Sequence, residues 1–158
     1  MIDTTSLSDT LLDSAKEVFE TMIFMDIQET PEPDQKIEGN ALLGTITFKG
    51  KIKGCFAICC NAPCAKTIAA NMLGMDQIDD VSDADICDAL GEVTNMIMGS
   101  IKARIQDNIG NVDVSIPSVV SGVKLQNSLG DGATRVVIKA QIEDEYPAEL
   151  SLICKEAD

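Results

Sequence analysis

Ser82-Asp-Ala-Asp-Ile-Cys-Asp-Ala-Leu-Gly-Glu-Val-Thr-Asn-Met-Ile-Met-Gly-Ser-Ile-Lys-Ala-Arg-Ile105 reads as one long helix with two opposed faces. Take Glu92 as the zero of angle and advance about 100° per residue. Ile86, Leu90, Val93, Ile97, Ile101 and Ile105 then fall in one apolar stripe, between roughly 100° and 220°. Asp88, Glu92, Asn95 and Gly99 fall on the opposite side, between about −60° and 0°. The helix opens at Ser82, which with Asp85 forms the pattern of a capping box, with Asp in place of the usual Glu. Asp83 and Asp85 suit the positive end of the helix dipole. The turn cluster Asp107-Asn-Ile-Gly-Asn111 predicts a stop near Gln106.

The chain on either side predicts an α+β fold, a mostly antiparallel sheet covered by two long helices and a shorter one. Residues 7–26 carry Leu7, Leu11, Leu12, Ala15, Val18, Phe19, Met22, Ile23 and Met25 at helical spacing. Residues 28–40, with two Pro and several charges, read as a mobile loop and not as a domain boundary. Residues 41–60 read as a β-hairpin turning at Lys49-Gly50. Asn61 is placed to cap a helix over about 62–73, with Pro63 in its first turn and Gly74 as its left-handed stop. Beyond the central helix, Val112 to Ser115 reads as a short extended piece. Val119–Leu125, Arg135–Ile142 and Leu150–Cys154 are strand candidates. The clusters Asn127-Ser-Leu-Gly-Asp-Gly132 and Asp144-Glu-Tyr-Pro147 are the turns between them.

The 158 residues suit one domain, 1–158, and 45% hydrophobic content suffices for a core. Aromatics make up only 3%, so that core is aliphatic. Twelve basic against 26 acidic residues give a net charge of −14, which argues against nucleic acid and anionic membrane as partners. The N-terminus lacks a positive region followed by an apolar run, and no stretch approaches a membrane span. The expectation is a soluble, cytosolic protein. With no His, no imidazole base or ligand enters the chemistry. Cys55, Cys59, Cys60 and Cys64 invite a metal reading. On a strand, however, Cys55 and Cys59 stand about 13 Å apart, and Cys59 and Cys60 face opposite ways. Buried thiols in a reducing compartment are the expected reading.

An Asp/Glu pair on a helix is ordinarily a solvated face. Three details at Asp88-x3-Glu92-x2-Asn95 argue for more. Asn95 sits mid-helix, where Asn is poor and has no cap to make. Gly91 costs about 1 kcal/mol in a helix interior, and Gly99 lies on the row itself. With Ala89 and Ala103 these make a shallow surface, although close helix–strand packing accounts for Gly91 equally well. Met96 borders the row, where a flexible thioether suits a protein contact. The pair lacks further ligands for a metal, and a convex helix is unlike the deep cleft of a glycosidase. A carboxamide donates and accepts hydrogen bonds, so it can hold a water in line with phosphorus. Phosphoryl transfer rewards positioning over proton abstraction. The first helix offers a partial echo, Asp13-x3-Glu17-Val18-Phe19-Glu20, with Glu20 standing where the central helix has Asn95. Two related halves and chance agreement both explain it.

Asp88-x3-Glu92-x2-Asn95, with Pro117 twenty-two residues after the Asn, resembles the signature of the CheC/CheX/FliY chemotaxis phosphatases. Gly91-Glu-Val-Thr-Asn-Met-Ile-Met-Gly99, Ser115-Ile-Pro-Ser-Val-Val-Ser-Gly122, Gly50-Lys-Ile-Lys-Gly54 and Met72-Leu-Gly74 extend the likeness across roughly residues 7–154. Length and the single complete motif favour the CheX branch. The resemblance implies dephosphorylation of a CheY-type response regulator at its phospho-aspartate. It implies that Glu92 contacts the regulator's active-site Lys and that Asn95 orients the attacking water. Asp88, Met96 and Gly99 would serve partner binding, with Pro117 supporting the loop beside the helix. It also implies a homodimer formed through the sheets, a Mg²⁺ held by the regulator, and no cofactor of the chain's own. The alternative is a non-enzymatic scaffold that binds a receiver domain or a flagellar-switch partner without catalysis. A metal enzyme built on the Cys cluster is a distant third.

Overall fold

Side-chain alternation sets the sheet. The computed structural model describes residues 3–32, 35–123, 125 and 132–157. Its strands are β1 (Ile27–Glu29), β2 (Ala41–Lys49), β3 (Ile52–Asn61), β4 (Asp113–Val114), β5 (Ser118–Gly122), β6 (Thr134–Ile142) and β7 (Tyr146–Glu156). They pair antiparallel throughout, in the order β1-β6-β7-β3-β2-β4, with β5 also on β2. Leu42, Ile46 and Phe48 of β2 and Phe56, Ile58 and Cys60 of β3 point to one face and into the main core. Ala41, Leu43, Ala57 and Cys59 point the other way, under Ile37 and Leu125.

Three helices cover the first face: α1 (Thr4–Val18), α2 (Ala62–Leu73) and α3 (Asp83–Ile105). Their ends are where the local chemistry places them. Asn61 accepts a hydrogen bond from the Cys64 N–H at 2.8 Å, and Gly74 closes α2 in a left-handed conformation at φ 66°. Ser82 accepts from the Asp85 N–H at 3.1 Å, and Lys102 and Arg104 occupy the last turn of α3, where cations suit the dipole. Among the described residues no helix is long and apolar enough to cross a membrane.

The structure corrects the sequence reading at four places. The first helix starts earlier, at Thr4, because Asp3 caps it through the Thr5 and Ser6 N–H groups. It also stops earlier. After Val18 the chain widens into a π-helical segment, Phe19–Ile23, and Phe24 turns left-handed at φ 61°. The loop read over 28–40 begins later: Gln28 and Glu29 continue a strand from Ile27 that pairs with Ile142–Ala140. The last strand takes in Tyr146 and Pro147. The turn before it narrows to residues 143–145, with Glu143 and Asp144 at positive φ. The turn read over Asn127–Gly132 lies mostly outside the described residues.

One contact seats the central helix. Thr94 of α3 is fully buried and its hydroxyl donates to the Leu90 carbonyl at 2.7 Å. It lies directly over Gly44 of β2, where a Cβ would stand 2.2 Å from the Thr94 oxygen. Gly44 is therefore the gap in the sheet that lets α3 approach.

Candidate functional site

The buried side of α3 comprises Ile86, Leu90, Val93, Ile97, Ile101 and Ile105, as the periodicity predicts, together with Ala89, Thr94 and Met98. Anchoring one face so completely fixes the other. Asp88, Glu92, Asn95 and Gly99 all stand exposed along it. From Asp88 to Asn95 the helix rises about 10 Å, so the three polar side chains form one short row. Among the described residues none of the three has a hydrogen-bond or ion-pair partner. Gly99 opens onto empty space. Met96 departs from expectation. It is half-buried and packs against the main core, so only part of its thioether faces the row. Ala89 is buried too and adds nothing to the shallow surface.

Part of the row lines an open cleft of about 480 Å³ with Cys87, Gly91, Pro117 and Val119. Asp88 and Glu92 form its charged wall, and Pro117 and Val119 its apolar one. A Cβ on Gly91 would lie 3.7 Å from Val119 and 3.9 Å from Pro117, which is ordinary contact. The glycine therefore leaves room in the cleft without being sterically required. The structure thus brings Asp88, Glu92 and Pro117 together. Asn95, Met96 and Gly99 continue along the helix outside the cleft.

The cleft's apolar wall is hung on β2. Thr45 pairs with Ser118 and Phe48 with Val114. Ile46 and Thr47, two residues, are thus opposed by three: Ser115, Ile116 and Pro117. This is a β-bulge. The Ser115 N–H donates to the Thr47 carbonyl at 2.9 Å, and the Ser115 hydroxyl accepts from the Thr47 N–H at 3.0 Å. Sequence reading found Pro117 but not the bulge.

The matching row on α1 is in a different state. Asp13, Glu17 and Glu20 are exposed, but the Glu17 carboxylate is held by Arg104 at 2.6 Å and by the Ser100 hydroxyl at 3.3 Å. Glu20 sits in the π-helical segment, whose wider turn shifts it off the α-helical register with Glu17. A surface pair of this kind adds little stability, but it occupies the carboxylate.

The cysteines divide as strand alternation requires. Cys59 belongs to the helix-free face and Cys60 to the main core. Burial first, then Cys60 and Glu149 nearby, push the Cys59 thiol up to about 12. A hydrogen bond with Cys64, then burial, raises Cys60 well above the ordinary thiol range, and burial raises Cys154. Cys87, on the rim of the cleft, is the exposed one of the six. Because the thiolate is the reactive form, iodoacetamide is expected to label one thiol per native chain, Cys87, and all six after unfolding. Peptide mapping of alkylated protein checks this. Rapid labelling of Cys59 or Cys60 in the native state would contradict the buried geometry.

Residues 42–141 match the protein family described as Chemotaxis phosphatase CheX. The structure is similar to the chemotaxis protein CheX from Vibrio vulnificus, with a TM-score of 0.82 and 20% identity over 98% of this chain and 100% of that one. It is similar to a putative chemotaxis protein from Desulfovibrio vulgaris Hildenborough, with a TM-score of 0.80 and 22% identity over 98% and 100%. It is also similar to a chain of the CheX–CheY–BeF3–Mg²⁺ complex from Borrelia burgdorferi, with a TM-score of 0.76 and 20% identity over 99% and 100%. At these identities the likeness establishes the fold. A comparison with curated proteins gave no match.

Proposed function

Because the chain belongs to the CheX family of chemotaxis phosphatases, we propose that it dephosphorylates the phospho-aspartate of a CheY-type response regulator by lending the regulator half of an active site. The observation that carries this reading is the free, exposed row Asp88, Glu92 and Asn95 on a helix whose other side is locked into the core. The contrast with α1, where Glu17 is already taken by Arg104, singles out α3 as the working copy. The Borrelia burgdorferi structure pairs a CheX with a CheY, and that pairing supports a receiver domain as the partner here.

The chemistry follows from the row. Glu92, at the cleft, offers a carboxylate to the Lys of the docked receiver, a charge-assisted contact that fixes orientation. Asn95, one turn further, reaches the phosphoryl group. Its carboxamide oxygen accepts from a water and its NH₂ donates, holding the water opposite the leaving carboxylate. The water oxygen bonds to phosphorus as the aspartyl oxygen–phosphorus bond breaks. Inorganic phosphate leaves and the receiver regains its carboxylate. The transition state is loose, so holding the water supplies most of what this chain can contribute, and no imidazole is needed. A Mg²⁺ held by the receiver would supply neutralisation of the developing charge. Asp88 contributes to the charged wall, and Met96 and Gly99 extend the contact surface. Pro117 closes the far side of the cleft.

The decisive test is phosphate release from a phosphorylated CheY-type receiver domain with and without this protein. Acceleration at catalytic amounts supports the reading. Binding without acceleration would make the chain a scaffold. Light scattering on the purified protein tests the homodimer that the resemblance implies.

A further inference from the structure

The face of the sheet that carries no helix holds a line of cations. Register sets Lys49 of β2 directly opposite Lys53 of β3, and Lys53 directly opposite Lys155 of β7. Paired residues point to the same side, and Lys49 alternates in step with Ala41 and Leu43, so all three lysines stand on the helix-free face. Arg135 of β6 lies opposite Ile153, diagonal to Lys155 on that same face. Asp113 of β4 stands opposite Lys49 at the other end. Among the described residues none of the four cations has an ion-pair or side-chain hydrogen-bond partner, and Asp113 makes no ion pair with Lys49. Like charges directly opposite one another destabilise a sheet, and Lys53 has one on either side. β3 and β7 are inner strands, so these lysines guard no open edge. With 26 acidic against 12 basic residues, the chain carries carboxylates enough to pair every cation, yet this row has one, at its end.

We propose that Lys49, Lys53 and Lys155, with Arg135 beside them, form a docking surface for an acidic helix of a partner protein. Adjacent strands lie about 4.8 Å apart, so the three lysines form a line roughly 10 Å long. Carboxylates at i, i+4 and i+7 on one helix face recur about 5–6 Å apart and meet such a line one to one. A single small anion answers one or two of the lysines and leaves the rest repelling. The net charge of −14 opposes a polyanion that extends past the row, such as a nucleic acid or an anionic membrane. One helix face keeps its carboxylates within the row. A second copy across a two-fold axis would set lysine against lysine, so the row does not suit an isologous contact. The surface lies across the sheet from α3, so its occupant leaves Asp88, Glu92 and Asn95 open. The inference therefore stands apart from the phosphatase reading.

The test uses the full chain and a fluorescent, Ala-based helical peptide with Glu at i, i+4 and i+7 on one face. A control peptide of the same composition spreads its Glu around the helix. Anisotropy at low salt is expected to give the aligned peptide a Kd at least about fivefold below that of the control, rising with ionic strength. Lys53→Glu, at the centre of the row, is expected to weaken binding of the aligned peptide about tenfold or more. Lys66→Glu on α2, an equal change in net charge, should stay within about twofold of the parent. Lys155→Gln removes one cation without reversing it and should give a smaller loss in the same direction, about threefold. Lys53→Glu also puts an anion between two cations, so its melting temperature should rise while binding falls, a split that damage to the fold does not produce. Equal affinity for the two peptides overturns the proposal, as does equal affinity of the parent, Lys53→Glu and Lys155→Gln for the aligned one. A parent that ignores the aligned peptide but sediments with phosphatidylserine vesicles also overturns it and makes this face a membrane surface.

Discussion

Asn95→Ala is expected to abolish acceleration of receiver dephosphorylation, by on the order of 100-fold or more, while slightly stabilising the fold. The two effects have opposite signs for separate reasons. Asn95 stands mid-helix, exposed, and among the described residues without a partner, so the fold loses no contact with it. Ala is the better helix former by roughly 0.5 kcal/mol, and the melting temperature should rise or hold. On the proposed mechanism, catalysis loses the carboxamide that holds the water without carrying charge. An alanine there leaves the charged wall at Asp88 and Glu92 intact, so binding should persist. Single-turnover phosphate release with melting curves on the same samples checks the result. A variant that turns over like the parent would remove Asn95 from the mechanism.

Gly44→Ala should be the most damaging single-methyl addition near the site. The new Cβ would meet the Thr94 hydroxyl at 2.2 Å, with the Thr94 Cβ at 3.4 Å and Leu90 at 3.5 Å behind it. Thr94 cannot keep its bond to the Leu90 carbonyl and also clear that methyl. Overpacking and an unpaired buried hydroxyl together cost about 2–4 kcal/mol. Thr94→Ala removes the clashing atom. The double variant Gly44→Ala/Thr94→Ala is therefore expected to be more stable than Gly44→Ala alone, with a favourable coupling of about 1–2 kcal/mol. Urea unfolding of the four proteins measures it. Simple additivity would mean that α3 is not seated by this contact.

What could be read from the sequence followed the strength of the local signal. α3 was legible because 23 residues repeat one period between a Ser cap and a turn cluster. α2 was legible from Asn61 and Gly74. The polar row followed from the same period, since burying one face leaves the other no choice. β1 was hidden because three residues beside a Pro- and Glu-rich segment carry no alternation, and only pairing with β6 makes them a strand. The end of α1 was missed because Phe24 is bulky and gives no sign of a left-handed stop. Half-burial of Met96 depends on neighbours that its period does not reveal. Gly44 did carry a signal, a lone glycine within a β-branched strand, which marks a close backbone approach. The bulge had only Pro117 to announce it, and a proline marks an edge without giving the register.

Both walls of the cleft depend on one strand. Gly44 admits the helix and Thr47 holds the bulge, three residues apart on β2, a separation of about 10 Å set by covalent geometry. β2 lies inside the sheet, between β3 and the β4/β5 edge. The far edge strand β1 is separated from the gap a partner must fit by β6, β7 and β3. The near edge, β4 and β5, carries one jaw of that gap, so the aperture is a caliper with its fixed jaw set by Gly44 and its other jaw clipped to Thr47.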